Sequence, residues 1–338
     1  MNQRHHTQRR GFTLVEMMVA IGILSIVVAG VMQSFVVQNR AYTVVDQTTE
    51  SQQNLRAIAY MLERDLRMAG YRVPEGAVAC GVDDTNGPDT LYVSDSEPIV
   101  TIDPNDPTAR TDDAFGVDVS GYAATVSEQN LVVSSTVLDD APYWDADLNG
   151  APDSDFREDG AVILFDAANP DRGTACGTIT AIGTVGAPGR ITVDFETALP
   201  TAAGLLVMVP AVRYTVDAVN SALMRNEVVI ANDVDDLQVA YFIDADGNGR
   251  VTNDDEYEGS ALAATEYESQ NTDHSDLREI RFNLSVRSRL EDAEFIDGFM
   301  QAMENRAAVG ASDGFRRRTY TATVRPRNVG FRGQQTGS

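Results

Sequence analysis

The sequence predicts an α+β fold in which one long N-terminal helix precedes a β-rich domain built from antiparallel sheets. Two observations support this prediction. An uncharged apolar run fills residues 17–37, and a helical apolar stripe follows it. From residue 71 onward the pattern changes to short β runs separated by Gly, Pro, Asn and Asp. We therefore expect a basic leader at 1–11, a helix at 12–70 and a β-rich head at 71–338.

The apolar run is long enough to cross a membrane. Residues 17–37 carry no charge, and at about 1.5 Å per residue a helix of this length spans the roughly 30 Å hydrocarbon core. The basic residues Arg4, Arg9 and Arg10 precede the run, and the first acidic cluster follows well after it. Because positively charged flanks stay in the cytoplasm, we predict a single span over 12–37 with N-in, C-out topology.

The residues around the start of this run form a specific motif. The segment 9–21 reads RRGFTLVEMMVAI, in which a basic leader ends in Gly11 and Phe12 follows. This layout resembles the signature of the type IV prepilin family. The resemblance implies that a prepilin peptidase cuts after Gly11 and methylates the amine of Phe12, so that the apolar helix stays in the mature protein. It also implies insertion into the inner membrane and later display on a pilus at the cell surface.

Glu16 is the single acidic residue at the head of the apolar run. An ionisable group inside the membrane costs about 2.5 to 3.5 kcal/mol on insertion scales and normally marks a partner. The positive end of the helix dipole offsets a little of that cost. The prepilin resemblance implies that Glu16 contacts the Phe12 amine of a neighbouring subunit during assembly. The alternative is a single-pass anchor whose Glu16 lies at the level of the lipid headgroups.

The second part of the helix, 38–70, is predicted to be amphipathic. Apolar residues recur there at spacings of three and four, which places them on one face; they are Leu55, Ile58, Ala59, Leu62, Leu66 and Ala69. Gly70 is expected to end the helix, and Pro74 prevents a restart. The segment 62–71, LERDLRMAGY, resembles the end of the helix in the minor pilins called PilW.

The head is predicted to be rich in strands. The candidate strands are 90–93, 131–137, 161–165, 178–182, 191–195, 205–214, 227–231, 237–243, 279–287 and 318–325. Alternation within 281–286 predicts sheets with one solvent-facing side, and 292–306 is predicted to form a short helix. Three further segments are similar to PilW-type minor pilins, namely 213–216, 235–241 and 316–324, whereas 95–160 match little.

A calcium-loop pattern follows the predicted strand 237–243. Residues 244–255, DADGNGRVTNDD, place oxygen ligands at alternating positions around a glycine that permits a sharp turn. The predicted ligands are Asp244, Asp246, Asn248, the carbonyl of Arg250, Thr252 directly or through water, and Asp255, with Glu256 adjacent. Hard oxygen ligands without nearby His or Cys favour Ca²⁺ over transition metals. The alternative is a polar, Asx-rich turn without metal.

A weaker copy of this pattern lies at 145–155. Asp145, Asp147 and Asn149 repeat the spacing of the first three ligands, but position twelve is Phe156. Asp153 or Asp155 would therefore have to close this second calcium site. The alternative is an acidic hairpin loop.

The cysteine content and the net charge limit the classes of function that are expected for this chain. Only Cys80 and Cys176 occur, and in an oxidising compartment a disulfide between them is the favoured interpretation, with two buried free thiols as the alternative. The net charge is −25, and removal of the three leader Arg residues makes it −28. Such a surface should not bind nucleic acid generally. The basic run at 316–318 is interpreted as the solvated start of a strand or a partner for acidic residues of the same chain, with a DNA or partner contact as the alternative.

The sequence favours a structural, non-enzymatic protein. It contains no Ser/His/Asp set, Gly-rich phosphate loop or Cys cluster with metal spacing. The resemblance implies a PilW-like minor pilin that assembles with other minor pilins and the major pilin, primes pilus growth and lies near the tip of a pilus used for twitching motility or cell adhesion. The alternatives are a J-type minor pseudopilin of a type II secretion system and a tip adhesin or DNA-uptake module that uses 95–160. A membrane-tethered calcium-dependent hydrolase is disfavoured because no acid, base or nucleophile set accompanies the loops.

Overall fold

The structure is a computed structural model of the 338-residue chain. It describes residues 12–71, 73, 75–94, 99–103, 106–114, 117–118, 131–134, 158–166, 168, 174–182, 190–196, 206–243, 277–292, 294–296, 298–310 and 313–329.

One helix, α1, spans Leu14–Met68 and contains both the apolar run and the amphipathic stripe. It begins and ends within two residues of the predicted limits. The chain divides into two compact units between Glu50 and Ser51, inside α1. The first unit holds the apolar part of the helix, and the second holds the rest of α1 and all of the described strands.

Gly70 lies just beyond the end of α1, as predicted. Its φ of +77° is in the left-handed region that favours glycine, and a Cβ there would lie 3.1 Å from Val78 Cγ2. The Gly70 amide donates to Ser94 Oγ at 2.8 Å. Asn328 Nδ2 donates to the last carbonyl oxygens, those of Met68 and Ala69, at 3.2 Å each. The end of the helix is therefore fixed by residues distant in sequence.

The described strands, with a short 3₁₀ helix at Glu75–Ala77, follow in chain order. They are β1 (Ala79–Val82), β2 (Thr90–Ser94), β3 (Ile99–Asp103), β4 (Asp106–Ala114), β5 (Val117–Asp118), β6 (Leu131–Ser134), β7 (Ala161–Asp166), β8 (Thr174–Ile182), β9 (Arg190–Phe195), β10 (Leu206–Asp217), β11 (Ala222–Arg225), β12 (Val228–Asn232), β13 (Val234–Ile243), β14 (Leu277–Arg287), β15 (Phe299–Met300), β16 (Val309–Gly310) and β17 (Arg317–Val324). All ten predicted strands are found, with limits shifted by a few residues.

The pairing is antiparallel throughout the described strands, which confirms the predicted fold class. The large sheet follows the order β1-β2-β10-β7-β8-β9-β6, with β5 and β11 also on β10 and β12 on β11. The small sheet has the order β13-β14-β17, and two separate hairpins pair β3 with β4 and β15 with β16.

The core lies between the second half of α1 and both sheets. Leu62 and Leu66 are fully buried, in one apolar cluster with side chains such as Leu91 of the large sheet and Leu284 of the small sheet. Full burial of one such side chain contributes about 1.5 to 3 kcal/mol. The predicted apolar stripe is therefore the face that holds the helix in the head.

Two acidic residues of α1 reinforce this packing. Asp65 Oδ2 accepts hydrogen bonds from the Tyr214 hydroxyl at 2.6 Å and from Arg225 Nη2 at 3.2 Å, both in the large sheet. Glu63 Oε1 accepts one from the Tyr320 hydroxyl of the small sheet at 2.8 Å. Each sheet thus has its own charge-assisted contact with the helix.

The prediction that one side of the small sheet faces solvent is wrong for β14. Asn283 and Ser285 alternate with apolar residues, yet they are only 6% and 1% exposed. The chain after β14 returns over this face, where Glu304 accepts hydrogen bonds from Asn283 and from Arg281, the latter at 2.7 and 2.8 Å. Asn283 alternates with apolar residues here because its side chain bonds to Glu304 of the covering segment, not because it faces water.

The predicted short helix at 292–306 is also wrong. The described residues of this range form turns and the strand β15, which pairs with β16. Met303 and Arg306 exchange backbone hydrogen bonds, and Arg306 forms a 2.6 Å ion pair with the fully buried Asp236. These contacts with the sheet outweigh the local helical propensity.

Candidate functional site

The first turn of α1 is capped by Thr13. Its Oγ1 accepts a hydrogen bond from the Glu16 amide at 3.2 Å, and its carbonyl accepts one from the Met17 amide at 3.1 Å. Threonine followed three residues later by glutamate is the pattern of a capping box. The sequence analysis missed this role of Thr13, although the spacing from Thr13 to Glu16 is the signal that would have found it.

The surface of the first unit is almost entirely apolar. All large apolar side chains between residues 12 and 37 are exposed, from Phe12 at 81% to Val28 at 46%. The most apolar 18-residue window of α1 has a mean hydropathy of 2.5, and none of it is buried. A water-exposed surface of this kind marks a membrane or protein contact. By length and composition, α1 can cross a membrane.

Hydroxyl groups along this part of the helix are satisfied within it. Ser25 Oγ donates to the Ile21 carbonyl at 2.8 Å, Thr43 Oγ1 to the Asn39 carbonyl at 3.1 Å, and Thr49 Oγ1 to the Val45 carbonyl at 2.8 Å. A hydroxyl that bonds to the carbonyl four residues earlier does not need an outside partner. These polar residues therefore do not oppose burial in lipid or against other helices.

The Glu16 carboxylate is exposed and contacts no cation within the described residues. Between residues 12 and 45 the sequence contains no other acidic residue, since Asp46 and Glu50 lie farther along the same helix. The helix dipole alone offsets a small part of its desolvation cost. The geometry leaves the carboxylate available to a cationic group that lies beyond the described residues.

The predicted disulfide is present. Cys80 of β1 and Cys176 of β8 are bonded, fully buried, and have Cα atoms 6.1 Å apart. Three strands separate β1 from β8 in the sheet order, and at about 4.8 Å per strand a flat sheet would place them about 19 Å apart. The large sheet therefore curls back on itself, and the disulfide joins its two sides.

The carboxyl group of Asp89 is buried where the large sheet and the small sheet meet. Asp89, just before β2, is 2% exposed and accepts hydrogen bonds from the amides of Asp84 at 3.0 Å and Val239 at 2.8 Å. Its own amide donates to the Leu237 carbonyl of β13 at 2.8 Å. Burial, together with the charges of Asp83 and Asp236, raises the pKa of Asp89 to about 8 against the opposing effect of the two amide donors.

This pKa predicts that the stability of the head falls with rising pH. The folded form keeps the Asp89 proton up to about pH 8, whereas the unfolded chain loses it near 3.8. Because the folded state binds more protons between these values, the contribution of Asp89 is complete below 3.8 and is lost as the pH rises through about 8. Denaturant unfolding of the wild type and of Asp89→Asn from about pH 5 to about pH 9 measures this effect. We expect a steeper decline for the wild type, and equal slopes would contradict the raised pKa.

The structure describes only some of the remaining predicted site residues. Gly11 and the predicted calcium ligands at 244–255 and at 145–155 lie outside the described residues. Within the described part of the chain, no group of three or more His, Cys, Asp or Glu could hold a metal ion.

In the basic run, Arg316 contacts Asp292 at 2.9 Å and Arg317 contacts Asp235 at 2.6 Å. These two residues therefore pair with acidic residues of the same chain, one of the roles interpreted from the sequence.

Comparison with known proteins identifies the motif at the N-terminus. Residues 6–32 match the prokaryotic N-terminal methylation motif. A type IV-like pilin from Thermus thermophilus is a similar solved structure, with 12% identity, coverage of 51% of this chain and 85% of that chain, and a TM-score of 0.22. No curated protein sequence matches this chain significantly. The chain thus carries a prepilin-type methylation motif that ends within the exposed apolar part of α1.

Proposed function

We propose that this chain is a minor pilin that is cut after Gly11, methylated at Phe12 and assembled through α1 with other pilin-type subunits. One observation carries the proposal: a methylation motif leads into an exposed apolar helix whose first carboxylate has no partner within the described chain. A simple membrane anchor needs the apolar helix but has no use for a carboxylate that enters the membrane at this place.

In this proposal Glu16 selects the register of the helix among its neighbours. A carboxylate surrounded by lipid and apolar helices is stabilised most by a cation at the same depth. The N-terminal amine that cleavage creates at Phe12 lies about one turn from Glu16 along the chain. The amine of one subunit and Glu16 of the next would satisfy each other, while unaligned helices would leave both charges unpaired.

The PilW-like role, with priming of filament growth and a place near the tip, is the more specific part of the proposal. Its support is the similarity of 62–71 and of three head segments to PilW-type minor pilins. In the structure, 62–71 contains the end of α1 and Gly70 just beyond it. The segment 235–241 lies in β13, and 316–324 lies at β17, both in the small sheet. Residues of these segments contribute to the apolar cluster that packs on α1, and the Tyr320 hydroxyl donates to Glu63 of the helix.

Co-purification from native membranes tests this role. Mild detergent extraction of the tagged chain, followed by mass spectrometry of the captured proteins, should yield other proteins with prepilin-type N-termini. Capture of pilus subunits supports the minor pilin, whereas capture of secretion-system pseudopilins supports the J-type alternative. A chain that is extracted alone, under conditions that preserve other pilin complexes, would contradict both.

Calcium binding at 244–255 remains part of the proposal. The ends of this connection are fixed, because Ile243 of β13 pairs with Leu277 of β14. A loop with three or four carboxylates repels itself without metal, so we propose that Ca²⁺ orders it, with an affinity in the weak extracellular range of about 10⁻⁴ to 10⁻³ M.

Calcium is therefore expected to stabilise the head. At about 100 times the Kd, a ligand that binds only the folded state adds about 2.7 kcal/mol to the free energy of unfolding. Chelation should lower the melting temperature, and Asp244→Ala with Asp246→Ala should lower it similarly and remove the response to chelator. The same double change at Asp145 and Asp147 tests the weaker loop. If calorimetric titration of the metal-stripped protein shows no binding at millimolar calcium, the loop is only an acidic turn.

A further inference from the structure

We propose that the free edge of β17, with the aromatic cleft at its beginning, is a docking site for an extended acidic segment of a partner protein. This β17 cleft is lined by Phe295, Phe299, Gln301, Phe315, Arg318 and Thr319. It lies wholly in the head and does not depend on the processing or assembly of the N-terminal helix.

The backbone of β17 is paired on one side. Every residue of β17 is in register with β14, from Arg317 opposite Arg287 to Val324 opposite Ile280. Among the described strands, none pairs with the other side of β17. Amide and carbonyl groups on such an edge accept a further strand, which is the way in which many domains bind extended peptides.

The cleft beside this edge is preformed. Arg316 lies over the Phe295 ring and Arg287 over the Phe315 ring, each with its guanidinium carbon 4.3 Å from the ring centroid. These cation–π contacts fix two of the walls. The third aromatic residue, Phe299, is 53% exposed. The cavity volume is about 190 Å³, below the roughly 300 to 1,000 Å³ of sites for drug-sized ligands. Its size suits one apolar side chain.

The charge at the cleft selects an acidic partner. Arg317 is neutralised by Asp235 at 2.6 Å and by Asp313 at 2.7 Å, and Arg316 is neutralised by Asp292. Arg318 is exposed and, within the described residues, contacts no carboxylate. A peptide strand on β17 with a carboxylate beside its apolar anchor would neutralise Arg318.

The chain's own C-terminal segment does not meet these requirements. Beyond β17, the Arg327 amide donates to the Arg67 carbonyl at 3.2 Å and Asn328 caps α1, so the chain leaves from the end of the strand remote from the cleft. Residues 330–338 contain Arg332 and no Asp or Glu. A separate protein with an acidic, apolar strand is the better occupant.

Fluorescence anisotropy with the full chain in detergent tests the site. The probe is a labelled peptide of sequence Thr-Val-Phe-Asp-Val-Thr. Phe299→Ala should weaken its binding about tenfold through the lost aromatic contact, and Arg318→Glu about fivefold. A second peptide with Arg in place of Asp should bind Arg318→Glu better than the wild type, and this reversal would not follow from misfolding.

Val228→Ala is the matched control, because Val228 is a 64% exposed residue on β12, an edge strand whose one partner among the described strands is β11. It should leave binding unchanged. The proposal is overturned if the wild type shows no saturable binding at millimolar peptide. It is overturned equally if Phe299→Ala and Arg318→Glu bind as the wild type does, or if Val228→Ala weakens binding as much as they do.

Discussion

Glu16→Ala is expected to leave the protein inserted and processed but to exclude it from filaments. Insertion becomes easier because an ionisable group costing about 2.5 to 3.5 kcal/mol is removed from the membrane. In the proposed assembly, the same change removes the partner of the cationic group of the neighbouring subunit. We expect the fraction of the chain in sheared filaments, measured by quantitative immunoblot against the membrane fraction, to fall about tenfold or more.

Two controls separate charge pairing from the capping of α1. Thr13→Val removes the cap that Thr13 Oγ1 gives to the Glu16 amide, at a cost of about 1 kcal/mol to the first turn. Glu50→Ala removes an exposed carboxylate farther along the same helix. Both variants should enter filaments nearly normally. If Thr13→Val reproduces the Glu16→Ala defect, Glu16 acts by capping, and if Glu16→Ala enters filaments normally, the pairing role is refuted.

Removal of the disulfide is expected to produce the largest loss of stability. Cys80 and Cys176 are separated by 96 positions in the chain, and opening a loop of this length costs about 4 to 5 kcal/mol through the unfolded state. The exchange of both residues for Ala should lower the free energy of unfolding by this amount in denaturant titrations. The curled sheet loses its covalent connection between β1 and β8, while the rest of the core remains.

The reduced wild type is the matched comparison for this variant. If the effect comes from the covalent bond, reduction and double substitution should destabilise the head to a similar degree. Alkylation of the non-reduced protein in denaturant, which exposes both buried positions, should label neither cysteine, and labelling of both would show that the bond does not form. A stability loss below about 1 kcal/mol would contradict the loop-closure argument.

The helix and most strands could be predicted because their signals are local. The three-and-four spacing that contains Leu62 and Leu66, and Gly70 beyond it, depend on residues near one another in sequence. Whether an alternating strand faces water depends on what covers it. The β14 residues Asn283 and Ser285 have a solvent-facing pattern but are buried, and Asn283 bonds to Glu304, about 20 residues later in the chain.

The site residues that belong to a short sequence motif could be predicted. The features that depend on tertiary contacts could not. Gly11, Phe12 and Glu16 follow from one short motif, and the disulfide follows from having only two cysteines. Nothing in the sequence around Asp89 indicates a buried carboxylate, because its burial arises from β13, roughly 150 residues away. The free edge of β17 likewise becomes visible only when the order of the strands is known.

The intact mass of the protein isolated from native membranes tests the central claim most directly. Cleavage after Gly11 removes the leader and methylation adds one methyl group to the new amine, so the account predicts a chain that begins at Phe12 and carries that methyl. Gly11→Val should retain the leader, because the residue before the cut is changed. A wild-type protein that still begins at Met1 in the mature membrane fraction would contradict the account.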